Sequence, residues 1–212
     1  MAEIDPGITL VNQVPVEADD SDSKANVRVS IKKMGALGAG ENFMGLVGNK
    51  QVIVSASFKR PGDTNTYANG DVVCDSTSEP TVMTFVNAAR VDGGGGIILD
   101  AALIDSANVS TKGIFDLFIF DESVVTDNDN AAFTPTDTEL ATCVGVITFD
   151  TNFIGDLTSG AGGNAIYKSG LLNLPFIIGT AAKDLYGVLV ARNAYVPVNA
   201  ETFTVRLNII QN

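Results

Sequence analysis

From Gln51 onward the chain repeatedly sets apolar residues two positions apart, the spacing that puts side chains on one face of a strand. Nine segments alternate in this way or run apolar throughout: 51–59, 71–74, 82–87, 97–105, 114–120, 142–149, 171–178, 185–192 and 202–210. Val54, Ala56 and Phe58 share one face of the first, and Phe203, Val205, Leu207 and Ile209 share one face of the last. The intervening segments are rich in Gly, Asp, Asn, Thr and Pro, the residues of turns. No long amphipathic helix competes. One short helical turn is expected at 137–141, capped by Thr136 or Asp137. Strands without crossover helices argue against an α/β sheet, and the lack of an internal repeat argues against a propeller. The pattern predicts an all-β fold, an antiparallel β-sandwich that is jelly-roll-like. An immunoglobulin-like sandwich is the second choice, disfavoured by the absence of any Trp.

Ahead of this domain the pattern changes twice. Residues 1–25 hold Asp5-Pro6-Gly7, Pro15 and the acidic run Glu17 to Asp22, poor material for a packed core, and read as an extended N-terminal arm. Two readings of the arm stay open: a frayed terminus, or a tail that orders against a neighbouring subunit. Residues 26–50 open with a period-two strand, Val27, Val29 and Ile31 on one side, and continue as a glycine-rich connection. A boundary falls near Lys50, so that 51–212 form the sandwich domain.

Composition narrows the function. The 212 residues are enough for one sizeable domain with an arm. No apolar run approaches the ~18 residues that cross a bilayer, and the acidic start Met1-Ala2-Glu3-Ile4-Asp5 is unlike a secretory leader, so synthesis in a host cytoplasm without membrane partners is expected. The net charge is −12, and no basic cluster exceeds Lys32-Lys33 or Lys59-Arg60, which argues against nucleic acid as a partner. Cys74 and Cys143 lie 69 positions apart without metal-site spacing, and both read as buried thiols.

Two stretches carry a resemblance. Residues 57–73, SFKRPGDTNTYANGDVV, set Phe58, Arg60-Pro61, Asp63-Thr64, Tyr67 and Gly70-Asp71-Val72-Val73 in sequence, and residues 185–212 read LYGVLVARNAYVPVNAETFTVRLNIIQN. This wording resembles virion structural proteins of tailed bacteriophages, over residues 51 to 212. The resemblance implies a virion component and supplies no catalytic residue. It puts emphasis on Arg60, Pro61, Asp63, Tyr67, Asp71, Tyr186, Gly187, Tyr195 and Pro197. Pro61 and Pro197 are expected to fix turns, Gly187 to sit where a sheet neighbour approaches, and Tyr67 and Tyr195 to bury a ring while the hydroxyl stays wet. The spacing allows Arg60 and Asp71 to pair across the turn.

Candidate chemistry is thin. The chain has no histidine, which removes the commonest general base, the commonest metal ligand and every Ser-His or Cys-His nucleophile. Carboxylates alone remain, and Asp116, Asp121, Glu122 and Asp127 are the residues a glycosidase would draw on. Asp116 alternates with Phe115 and Leu117 as an outward residue would, and Asp121-Glu122 follow a strand where a solvated turn is expected. Asp127-Asn128-Asp129-Asn130 begins like a calcium loop, but Ala132 and Thr138 stand where glycine and glutamate are required, so a solvated loop is expected. Gly93 to Gly96 precede a strand rather than a helix and read as a flexible connection, as does Ser159 to Asn164.

No catalytic residue, cofactor or metal is therefore expected. Two functions from different classes remain. The first is a non-enzymatic capsid decoration (cement) protein on the outer surface of the head, with the major capsid protein and its own copies, as trimer or dimer, for partners. The second is a tail- or fibre-associated adhesion or carbohydrate-binding module, which the lack of Trp disfavours.

Overall fold

The computed structural model describes residues 49–150 other than 108, the backbone of 154–156, and residues 163–212 other than 180. The expected arm at 1–25, the strand pattern at 27–31, most of the glycine-rich connection and the loop at 159–162 lie outside the described residues.

Eleven strands and one short helix follow in order: β1 Lys50–Lys59, β2 Val72–Val73, β3 Met83–Phe85, β4 Gly95–Asp105, β5 Phe115–Phe120, α1 Asp137–Ala141, β6 Cys143–Phe149, β7 Ile154–Asp156, β8 Ala165–Lys168, β9 Leu174–Ile177, β10 Leu185–Ala191 and β11 Thr202–Gln211. They form two antiparallel sheets. In sheet one the order is β1-β11-β4-β8-β7, with β9 sharing the far edge of β4 beside β8. Sheet two has the order β2-β10-β5-β6, with β3 sharing the edge of β10 beside β2. The chain crosses repeatedly between the sheets, and its late strands β10 and β11 pair with its early strands β5 and β4. That rolled-up pairing is the jelly-roll sandwich the pattern predicts.

The inward faces are those read from the sequence. Phe203, Val205, Leu207 and Ile209 of β11 are fully buried, and at about 1.5–3 kcal/mol each their gross contribution is comparable to the net stability of a whole domain. Val52, Val54, Ala56 and Phe58 of β1 pack on the same core but stay half-buried, because β1 is an edge strand. At the centre the Phe115 ring lies 5.5 to 5.8 Å from those of Tyr167, Tyr195 and Phe203, edge-on to each.

Sheet two is covered on both faces. A second apolar cluster, Val72, Cys74, Phe120, Val124, Val188 and Val190, lies on its outer face, with Phe133 packed 5.1 Å from Phe118. Residues 121–142 provide this cover, which is why β10 is buried along nearly its whole length. Helix α1 ends the cover and is capped as expected by Thr136, in a reciprocal box with Glu139.

The structure corrects three readings. Strands β7 and β8, on either side of the glycine-rich segment Ser159 to Asn164, fall where no strand was expected. Gly95 and Gly96 are not a flexible connection but the first residues of β4. A Cβ on Gly95 would stand 2.5 Å from the Phe176 carbonyl oxygen, and one on Gly96 2.5 Å from that of Ile210, so two neighbouring strands close in only because both residues are glycine. Cys74 is buried as expected, but Cys143 is half-buried at the edge of sheet two.

Candidate functional site

Arg60, Asp63, Tyr67 and Tyr195, four of the residues that carry the resemblance, meet at one end of the sandwich, whereas Tyr186 and Gly187 lie at the far end of β10 beside β3. Tyr67 and Tyr195 form an isolated antiparallel bridge, and their rings stack 6.2 Å apart and 14° from parallel. Arg60, just past the end of β1, is 2% exposed. Its backbone N–H donates to the Glu201 carbonyl at 2.9 Å, tying the end of β1 to the start of β11. Its guanidinium donates through Nε to the Tyr67 hydroxyl and through Nη2 to Asp129 Oδ2 at 3.0 Å, with Asp63 Oδ1 at 3.4 Å. Asp129 Oδ1 accepts from the Tyr67 hydroxyl at 2.6 Å and from the Cys74 N–H at 2.9 Å. The Arg60–Asp129 pair is wholly buried, and burial first and then Asp129 push the Tyr67 hydroxyl pKa upward.

A second polar group adjoins the first. Tyr195 donates its hydroxyl proton to Glu201 Oε1 at 2.8 Å, and Asp105 Oδ2 lies 3.4 Å from the Tyr195 hydroxyl oxygen. A tyrosine hydroxyl has one proton, so a further hydrogen bond to Asp105 requires that Asp105 itself be the donor, in its protonated form. Its other oxygen accepts from the Ala107 N–H at 2.7 Å, and Glu201 Oε2 from the Val198 N–H at 3.0 Å. Burial, and after it the Glu201 charge, push the Asp105 carboxyl up to about 7. Burial raises Glu201 as well. These groups join the end of β4 to the loop that leads into β11.

Several expectations for these residues are corrected. Arg60 pairs with Asp63 and Asp129 rather than Asp71, whose carboxylate instead accepts the Ala68 N–H at 2.6 Å. The tyrosine hydroxyls are buried and bonded, not wet. Asp129, read as part of a solvated loop, is the buried anion of the cluster, and nothing in its local pattern distinguishes it from Asp127. Glu201 and Asp105 went unnoticed in the sequence for the same reason: their roles depend on partners 6 and 90 residues away. Gly187 behaves as expected, since a Cβ there would lie 2.9 Å from the Phe85 ring and 3.1 Å from Leu117.

Of the carboxylates considered for catalysis, Asp116 and Asp127 are each taken up by their own partners, and Asp121 Oδ1 is buried without a hydrogen-bond partner. Asp116 leaves the outer face of sheet two, opposite to Phe115 and Leu117 as expected, but is buried there, accepting from Thr148 Oγ1 at 2.7 Å and pairing with Arg192 Nε at 3.1 Å. Asp127 accepts from the N–H and hydroxyl of Thr134 at 2.7 and 3.1 Å. Asp121 is half-buried, and Glu122 is exposed as a solvated turn requires. Two open depressions, of about 350 and 230 Å³, are lined by Thr66, Val109 to Thr111 and Ala194 to Pro197, and by Ala56 to Phe58, Asp75 and Thr81 to Thr84; neither gathers a pair of carboxylates. Among the described residues no three His, Cys, Asp or Glu side chains are placed to hold a metal ion. No helix among them is long and apolar enough to cross a membrane.

Fold and cluster define an all-β sandwich whose polar centre joins strands. No protein-family model matches the chain, and no curated protein matches it. Among solved structures it overlaps a chain of the cyanophage Pam1 capsid asymmetric unit at TM-score 0.33 and 12% identity, covering 89% of this chain and 100% of that one. A chain of Desmodium yellow mottle tymovirus overlaps at TM-score 0.22 and 13% identity over 95% and 98% of the two chains. One from Israeli acute paralysis virus (heated full particle) overlaps at 0.26 and 13% over 97% and 81%. Overlaps this loose carry no argument about function.

Proposed function

We propose that this chain is a non-enzymatic structural virion protein of the capsid decoration (cement) type, bound to the outer surface of a phage head through the major capsid protein and its own copies. One observation carries the reading. Arg60, Tyr67 and Tyr195, prominent in the phage-like wording, are bonded or stacked in the buried joint of the sandwich instead of ringing a cavity. The shared wording thus reflects a common way of closing a fold, as expected of a scaffold whose task is mechanical. Among the described residues no segment covers the outer face of sheet one, whereas that of sheet two is spent on its cover. Many weak contacts of this sort add by multivalency when the partner is a lattice.

The adhesion reading finds less support. Glycan platforms use exposed aromatic rings, and every described aromatic residue is buried or half-buried. The acidic balance of the chain also suits the outside of a shell better than contact with packaged DNA.

Cryo-electron microscopy of virions that contain this protein tests the proposal directly. Density on the outer head surface in contact with the major capsid protein is the expected result; density on tail or fibre would transfer the chain to the adhesion class. A truncation lacking residues 1–25 refines the test. It should keep its melting temperature while losing occupancy on capsids stripped of the native copy, and the reverse outcome would assign those residues to the fold.

A further inference from the structure

The sandwich is polarised in charge from one outer surface to the other. Between Lys112 and Lys168 the sequence has nine carboxylates and no lysine or arginine. That stretch supplies β5, β6 and the whole cover of sheet two, along with β7 and most of β8 at the edge of sheet one. On the cover Glu122 and Asp137 are exposed, and Asp121, Asp127 and Glu139 are half-buried. Two exposed apolar residues sit among them, Val125 at 82% and Leu140 at 44%.

The outer surface of sheet one is basic. Ser55, Arg206, Ala102 and Lys168 stand opposite one another in a single row across β1, β11, β4 and β8, so their side chains leave the same face. Lys59 lies four residues along β1 from Ser55 and joins that face. Arg206, Lys168 and Lys59 are exposed, and none has an ion-pair partner among the described residues. The described acid in these rows, Asp100, is engaged by Asn208 at 2.8 Å. Between the charges lies shallow apolar ground, Ile53 at 59% exposure with Ile97, Ile104, Ile166 and Ile210 half-buried.

We infer that copies of this chain associate head to tail, the basic outer face of sheet one in one copy seated on the acidic cover of sheet two in the next. Sign decides the geometry. Two basic faces in a two-fold contact would set Arg206 and Lys168 against their own counterparts, and two acidic covers would do the same with Glu122 and Asp137, whereas the heterologous contact sets Arg206, Lys168 and Lys59 against Glu122 and Asp137. Each side also offers exposed aliphatic residues to bury once the charges have aligned it. A heterologous contact closes into a ring when its rotation allows and otherwise propagates. The inference rests on the homo-oligomeric part of the proposed function and not on its virion part, so its failure in solution is distinct from absence of the protein on capsids.

Charge reversal with complementation tests it, read by sedimentation velocity of the full chain. The wild type should associate at about 0.05 M salt and weaken at least tenfold by about 0.5 M, where screening falls to a few ångströms. Arg206→Glu with Lys168→Glu should stay monomeric at low salt, as should Glu122→Lys with Asp137→Lys, and an equimolar mixture of the two should recover wild-type association. All four positions are exposed, and a thermal melt establishes that each double variant is folded. If either fails to fold, the neutral pairs Arg206→Gln with Lys168→Gln and Glu122→Gln with Asp137→Asn replace them and should weaken association to an intermediate degree. A wild type monomeric at low salt, reversal variants that still self-associate, or a mixture that recovers nothing would each overturn the inference. So would a sheet-one reversal that abolishes capsid attachment alone, since that face would then meet an acidic surface of the shell.

Discussion

Protonation of Asp105 makes this domain lose stability as the solution moves from mildly acidic to neutral pH, the opposite of a domain held by ionised carboxylates. The sign follows from linkage. Asp105 is fully buried and its carboxyl moves from 3.8 to about 7 on folding, so between those values the native state binds a proton that the unfolded chain has released. The contribution of this group is then complete below about pH 4, falls as pH rises, and is lost once pH passes about 7. At about 1.4 kcal/mol per pH unit this is about 4 kcal/mol, and in a domain of this size it translates to a fall in melting temperature of about 8–16 °C. Burial sets most of the shift and the neighbouring Glu201 charge adds to it, while the Ala107 N–H and Lys112 oppose the rise. Melts from pH 4.5 to 8 at constant ionic strength measure the slope. The net charge of the whole chain also grows more negative over this range, so the decisive comparison is with Asp105→Asn, which keeps the shape and cannot ionise. The variant should flatten the curve by most of the predicted fall. An Asp105→Asn slope equal to the wild-type slope, or a wild type that gains stability toward pH 8, would refute the reasoning.

Three further outcomes are expected. Asp129→Ala strands a buried guanidinium, the Tyr67 hydroxyl and the Cys74 N–H and should cost about 3–5 kcal/mol in denaturant titrations, with Arg60→Met in the same chain costing less than the sum of the two singles; strict additivity would show that the two side chains do not act together. Gly96→Ala drives a Cβ to 2.5 Å from the Ile210 carbonyl and should destabilise by about 1–3 kcal/mol or more, while Gly170→Ala, with nothing within 4 Å, should be close to neutral in the same melt; equal losses would contradict the close approach of the strands. Burial pushes the Cys74 thiol up to about 12, so a thiol reagent at pH 8 should modify half-buried Cys143 first and reach Cys74 only on unfolding; labelling read by mass spectrometry in the opposite order would refute this.

The strands and their buried faces were legible in the sequence because alternation is local: Phe203 to Ile209 report their own inward face whatever they pair with. The cap at Thr136 was legible for the same reason, since both halves of the capping box lie within four residues. Strands β7 and β8 were not, because a three- or four-residue segment beside a glycine-rich loop becomes a strand only when the edge of β4 is there to pair with it. The polar joint shows the same divide. Arg60, Tyr67 and Tyr195 could be singled out by their wording, but Asp129, Asp105 and Glu201 look like any other acidic residues of an acidic chain. Their burial, their shared protons and the charge contrast between the two outer faces come from strand register, which brings together residues separated by 62 and 90 positions. Local pattern determines which residues point inward; only the folded sheets decide which of the inward or outward charges meet.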